Sequence, residues 1–366
     1  MDKKRVVYYD FARVFAIISI SFNHAVNRTF DNYTDTQLEY ETQEWSLTLI
    51  KTCVTVFSRI GVPVFLMLTG ALILSKQFET RDDVKHFFLH NWLRLLIAVE
   101  IWLANYFWFI YYQSPDTILS GMSRKELIIQ FVSTLLFVNQ TTEGLMWYMN
   151  MLIPLYTLLP VLAVFVNKGY LRYLSFPAFF TLFVVVFVYD ISRILALTDY
   201  EIEIMTILYP PLTYFAVYVI VGFALSRGVL AKVPGFLIFI IAVASYALAV
   251  RYQLWFYKGP SNDLVSYDSI PLMLCSMATF DLFRRADGRI MYFFRGILSH
   301  ISRRCLGIYF VHIVVMEMLN WNWDFTGWDP VNKMLFLEGV SLAGGLLIVE
   351  ILGIIKPIRK YVLLVK

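Results

Sequence analysis

The sequence predicts an all-α, polytopic membrane helical bundle, and three observations carry that prediction. Of 366 residues, 59% are hydrophobic and 16% charged, against about 45–50% and about 25% in soluble domains. Uncharged runs approach the roughly 20 residues that a bilayer-spanning helix needs. Lysine and arginine are abundant in alternate connecting segments, the pattern expected when cytoplasmic loops collect basic residues. A mean hydropathy of +0.63 excludes disorder. The formal charge is only +4, with basic residues scattered along the chain, so nucleic acid is not an expected partner.

Apolar runs between charges define about ten transmembrane helices, at 7–26, 49–75, 92–112, 144–166, 173–190, 205–226, 234–254, 269–283, 305–320 and 335–355. The first follows a basic start, Met1 to Arg5, without a small-residue cleavage site, so it is expected to be retained. The second contains Pro63, which should kink it and free a carbonyl. Between the third and fourth, Ser123-Arg-Lys-Glu126 reads as a capping box opening an apolar stretch from Leu127 to Val138. That stretch is too short to span and is expected to be interfacial or re-entrant on the outer side. The fourth is uncharged from Leu145 to Val166. The eighth and ninth have 12 uncharged residues each, between Asp268 and Asp281 and between Arg304 and Glu317, and are expected to tilt, shorten or line a cavity.

With the amino terminus in the cytoplasm, ten spans return the carboxyl terminus there. Basic residues then number 21 inside and eight outside, with Arg13 and Arg59 inside spans. The outer segments carry acids, among them Asp31, Asp35, Glu39, Glu41 and Glu44. No internal repeat, low-complexity tract or domain-sized soluble segment interrupts the pattern, so residues 1–366 read as one integral membrane domain. Cys53, Cys275 and Cys305 lie in or beside apolar runs at no metal-binding spacing and read as reduced packing residues.

The first span holds the chemistry. Asp10, Arg13, Ile17, Ile20, Ser21 and His24 follow the 3/4 rhythm of one helical face. Arg13 and His24 differ in rotation by only about 20° over three turns and stand about 16.5 Å apart along the axis. Ionisable groups inside a bilayer are costly and usually face a polar interior or one another. Asp10 can pair with Arg13 at i, i+3. An arginine near a helix end can equally snorkel, and His24 can bond a neighbouring helix.

These residues also carry a family resemblance. Asp10-x-x-Arg13 and the Arg13-x10-His24 spacing resemble the first helix of the acyltransferase 3 family. Arg59-Ile-Gly-Val-Pro-Val-Phe-Leu-Met-Leu-Thr-Gly70, Leu145-Met-Trp-Tyr-Met149 and Leu306-Gly-Ile-Tyr-Phe-Val-His312 resemble further family segments in the expected order. One departure is clear. Many members place an Arg-x-x-Arg pair at the entry to the third span, where this chain has Asn91-Trp-Leu-Arg94, with His90 or Lys85 as the nearest substitutes.

The resemblance implies an integral membrane O-acyltransferase in the plasma membrane of a bacterium. Its donor would be cytoplasmic acyl-CoA, with acetyl as the first candidate group and succinyl as the second. Its acceptor would be a hydroxyl of a surface polysaccharide or of a lipid-linked glycan precursor. Guanidinium forks suit the donor's phosphates, which makes Arg13, Arg94 and Arg59 candidates for binding it. His24 can act as a general base or carry the acyl group transiently, with Arg13 and Asp10 in the same set. Trp147 and Tyr148 are candidates to stack on a sugar or to anchor the helix, and His312 and Glu317 to contact the acceptor or a neighbouring helix. Glu100 has no motif around it. His86 and His90 stand at i, i+4 but among basic residues, so no metal site is expected. The alternative is a transporter or flippase using Asp10, Arg13 and His24 as an intramembrane relay.

Overall fold

The computed structural model describes residues 5–30, 44–113, 119, 121–137, 146–168, 212–256 and 265–365. Among these residues every regular element is helical. Helix α1 runs unbroken over Val7–Phe30, and its 24 residues rise about 36 Å. Helix α2 covers Trp45–Ile73 and continues through Pro63, whose missing N–H leaves the Arg59 carbonyl without its i+4 donor.

Helix α3, Arg81–Phe87, opens on a capping box between Thr80 and Asp83 and passes through a π turn at Phe88–Trp92 into α4, Leu93–Gln113. Helix α5, Arg124–Leu135, has the capping box expected at Ser123 and Glu126: the Ser123 N–H donates to Glu126 at 2.8 Å. The Ser123 backbone and hydroxyl hold the Glu126 carboxyl below the usual range. Exposed Ile128, Ile129, Val132 and Leu136 leave this 12-residue helix with an apolar outer face, as an interfacial helix requires.

Helices α6 at Trp147–Asn167, α7 at Leu212–Ser226 and α8 at Gly235–Phe256 follow. Then come α9 at Ile270–Arg285, the short α10 at Arg289–Phe293 and α11 at Arg295–Ser302. Helix α12 covers Cys305–Asn322, α13 covers Pro330–Leu352, and a π turn over Ile358–Val362 precedes buried Leu363.

Six described helices are long and apolar enough to cross a membrane: Trp45–Ile73, Arg81–Tyr112, Trp147–Asn167, Gly235–Trp255, Cys305–Asn322 and Pro330–Leu352. The chain is thus a multi-pass helical membrane bundle. The described residues do not establish ten spans. The expected span at 173–190 lies outside them, as do Asp31 to Glu41 and the start of the span at 205–226. The expected span at 269–283 is the 16-residue α9, which ends in charge: buried Asp281 pairs with Arg284 at 2.8 Å and Arg285 at 2.5 Å.

Helix α1 is set apart from the six by its charges and by its position. It packs against α2, α9, α11, α12 and α13. Small residues bring α1 and α2 together: a Cβ on Gly61 would lie 2.7 Å from the Ala16 carbonyl oxygen, and the Ser19 hydroxyl donates to the Phe57 carbonyl at 2.8 Å. Close backbone approach of this kind holds membrane helices together, because lipid offers no hydrophobic drive for helix association. The outer faces are apolar, with Phe236, Phe239, Ile240, Val161 and Leu347 exposed to the lipid side. Polar groups are gathered instead around α1.

Candidate active site

Two clusters occupy successive levels of the α1 face. At the first, Asp10 is 3% exposed. Its carboxylate accepts from Arg5 Nε at 2.5 Å and Nη2 at 2.8 Å, from the Ser302 hydroxyl at 2.6 Å and from Arg13 Nη1 at 3.3 Å. Arg13 Nη1 also donates to Ser302 Oγ at 3.1 Å. The i, i+3 pair expected within α1 is therefore one edge of a four-residue network that binds α1 to the end of α11. Two charge-assisted bonds from Nη1, to Asp10 and to Ser302, tie Arg13 into this network.

Three turns further along α1, the partly exposed His24 ring lies 5.6 Å, centroid to centroid, from His312 on α12. His312 is fully buried, and its Nδ1 faces the carbonyl oxygens of Tyr309 at 2.7 Å and Ile308 at 3.1 Å. Carbonyl oxygens only accept, so Nδ1 carries the proton and Nε2 keeps its lone pair. Nε2 is buried with no hydrogen-bond partner. One turn beyond His24, Arg28 donates from Nε at 2.6 Å and from Nη2 to a single oxygen of Glu317.

Aromatic contacts close the wall. His312 touches Tyr309, Tyr309 touches Tyr148, and Tyr148 touches Trp147. Trp147 stacks on Tyr267 at 5.3 Å, and the Arg59 guanidinium lies over Tyr267 at 5.5 Å with its Nε unpaired. His24, His312, Tyr148, Trp147 and Arg59 are thus joined by a chain of ring contacts through Tyr309 and Tyr267, with Glu317 paired to Arg28 one turn away. Such a setting offers a base, a cation and stacking surfaces together.

Arg94 stands elsewhere. Its Nη2 donates to the Lys360 carbonyl at 2.9 Å, so it fastens α4 to the carboxy-terminal turn. Asn91 turns back to the Phe87 carbonyl at 3.4 Å, while the exposed His90 ring stacks on His86 at 4.1 Å. Among the described residues no three His, Cys, Asp or Glu side chains are grouped as a metal site.

Sequence reasoning missed Arg5, Ser302, Arg28, Tyr267, Tyr309 and Glu338. Arg28 had a signal, since it extends the α1 face four residues beyond His24. Ser302 and the tyrosines had none, because their proximity to α1 exists only in the folded bundle. Glu338 is buried on α13 at 4% exposure, within a helix that packs along α1.

Charged and imidazole groups strung along the buried face of a central helix, within a bundle of lipid-facing outer surfaces, define a multi-pass membrane protein with an intramembrane polar site. Residues 6–350 match the acyltransferase 3 family model, an acyltransferase domain, so the chain belongs to that family and is an acyltransferase. No curated protein and no solved structure matches it. Every residue of both clusters except Arg5 falls inside the matched range. Acyl transfer thereby displaces transport as the reading of the chain.

Proposed function

We propose that the protein transfers an acyl group, acetyl or else succinyl, from cytoplasmic acyl-CoA to a hydroxyl of a bacterial cell-envelope carbohydrate. The acceptor is a surface polysaccharide or its lipid-linked precursor, and both chain termini face the cytoplasm. The observation that carries the reading is the His24–His312 pair, three turns from the Asp10–Arg13–Ser302 network on one continuous helix.

A donor entering beside Arg13 extends its thioester along the α1 face towards His24. Neutral His24 takes the proton of the acceptor hydroxyl as its oxygen attacks the thioester carbonyl. The new C–O bond forms, the C–S bond breaks, and the thiolate recovers the proton from the imidazolium to leave as the free thiol. Arg59, with an unpaired Nε, supplies positive charge for the oxyanion. Trp147 and Tyr148 give the sugar apolar faces to lie against. A transient acyl-His24 is the covalent variant of the same path.

The test is acyl-CoA-dependent transfer by the purified protein, read together with mass spectrometry of envelope glycans from cells with and without the gene. A mass difference equal to the acyl group supports the reading, and identical glycans sink it. Replacing Arg13 with alanine is expected to weaken acyl-CoA binding by roughly 1.5–3 kcal/mol, the worth of a hydrogen bond to a charged group, with partial rescue by lysine. Unchanged affinity at normal abundance would remove Arg13 from the donor site. Cysteines introduced at positions 35 and 328 are expected to react with an impermeant thiol reagent only from outside. Labelling from the cytoplasm alone would reverse the topology.

A further inference from the structure

A cavity of about 350 Å³ opens beside the amino-terminal end of α1, lined by Arg5, Asp10, Tyr292, Arg295, Ser299 and Arg303. Three guanidiniums face one carboxylate there. Arginines outnumber their paired acids at this end of the bundle. Arg284 and Arg285 share Asp281, and Arg304 pairs with Glu350. Arg303 bonds only the neutral Ser299, at 2.9 Å through Nη2, and Arg5 shares its single acid with Arg13. Arg295 is exposed and, among the described residues, meets no carboxylate within ion-pair distance. Two of the three guanidiniums lining the cavity, Arg295 and Arg303, thus have no acid within ion-pair distance among the described residues, and the third shares one.

Guanidiniums gathered around a concave site raise the local positive potential and favour an anion there. Planar forks in this arrangement suit phosphate oxygens, and the volume matches the small end of ligand pockets. Asp10 would repel a phosphate, but its oxygens are already taken by Arg5, Arg13 and Ser302.

We propose that the cavity lined by Arg5, Arg295 and Arg303 is the phosphate-binding site for the nucleotide end of the acyl donor. The inference rests on the acyl-CoA reading above and extends it to residues outside the Arg13–His24 face. Arg13 then stands between the phosphate site and the imidazole pair, where the donor's thioester arm passes. An anionic lipid headgroup carries the same phosphate chemistry, and the experiment separates the two sources.

Initial rates are measured for reconstituted wild-type protein and for Arg295→Ala, Arg303→Ala and the double variant, with acetyl-CoA and with acetyl-pantetheine, which keeps the thioester arm but lacks the nucleotide. KM for acetyl-CoA is expected to rise about tenfold in each single variant and about 100-fold in the double. Turnover and the KM for acetyl-pantetheine should stay within about twofold, the margin that a merely structural role would break. Equal effects on both donors, or no effect on either, overturn the proposal. So does an effect seen in vesicles containing phosphatidylglycerol and absent in pure phosphatidylcholine, which assigns the cavity to lipid.

Equilibrium binding of CoA to the detergent-solubilised protein separates the cavity from the reaction. Binding that survives the double substitution overturns the cavity alone, whereas no binding by the wild type overturns the cavity and the acyl-CoA reading together. Binding lost in the double variant, without acyl transfer by the wild type, keeps the cavity and sinks the reaction.

Discussion

Replacing His24 with alanine or glutamine is expected to lower turnover by roughly 100- to 10,000-fold while leaving acyl-CoA affinity nearly intact. The partly exposed His24 ring faces His312, whose own geometry limits what it can do. With Nδ1 committed to the Tyr309 and Ile308 carbonyls, His312 offers only the Nε2 lone pair, so it can accept a hydrogen bond from the acceptor or from His24. The two rings therefore have unequal roles, and loss of His312 should cost less than loss of His24. Turnover should fall as pH is lowered far enough to protonate His24, since an imidazolium cannot take the hydroxyl proton. Label from acyl-CoA retained on the protein without acceptor would favour the covalent route. Full activity in an abundant His24→Ala protein would return this histidine to a packing role.

Substituting alanine at Gly70 or Gly222 is expected to be the most damaging change to the fold. A Cβ on Gly70 would fall 1.8 Å from the Val219 carbonyl oxygen, and one on Gly222 would fall 2.0 Å from that of Met67. The two glycines face each other's helices one turn apart, so α2 and α7 cross in backbone contact. The obstacle is main chain on both sides, and no side chain can rotate out of the way. Relief requires the helices to separate, which opens the packing around fully buried Met67, Tyr218 and Val219. The cost should exceed the roughly 1–3 kcal/mol typical of overpacked cores. Thermal unfolding in detergent reads the effect. Gly339, in α13 with nothing within 4 Å of its added Cβ, is the control and should tolerate alanine. Wild-type stability in Gly70→Ala would mean that α2 and α7 do not approach this closely.

Gly70 also shows how far a motif can be read without coordinates. It ends the segment from Arg59 that carries part of the family resemblance, yet nothing in the string says why glycine is required there. The answer is on α7, about 150 positions away in the sequence. The same holds for the missing first arginine: the sequence flags Asn91 as a departure, and the structure places it in a π turn, bonded back to its own helix. Arg94, a candidate donor contact by residue type and spacing, has a partner that the sequence does not show: its Nη2 donates to the Lys360 carbonyl.

The sequence by itself determined what depends on local arithmetic: that the chain is helical and multi-pass, where most of the described spans begin and end to within about five residues, and that Asp10, Arg13 and His24 share one face of one helix. Uncharged length decides the first two and the 3.6-residue period decides the third. Tertiary structure alone decided the partners: His312 against His24, Glu317 against Arg28, Ser302 against Asp10, and the arginines gathered at the cavity. Lipid is as apolar as a leucine face, so hydropathy marks a helix as membrane-borne without saying which side meets which neighbour. That choice is made by close approach at Gly61, Gly70 and Gly222, where small residues let particular helices touch and so carry distant polar groups into contact.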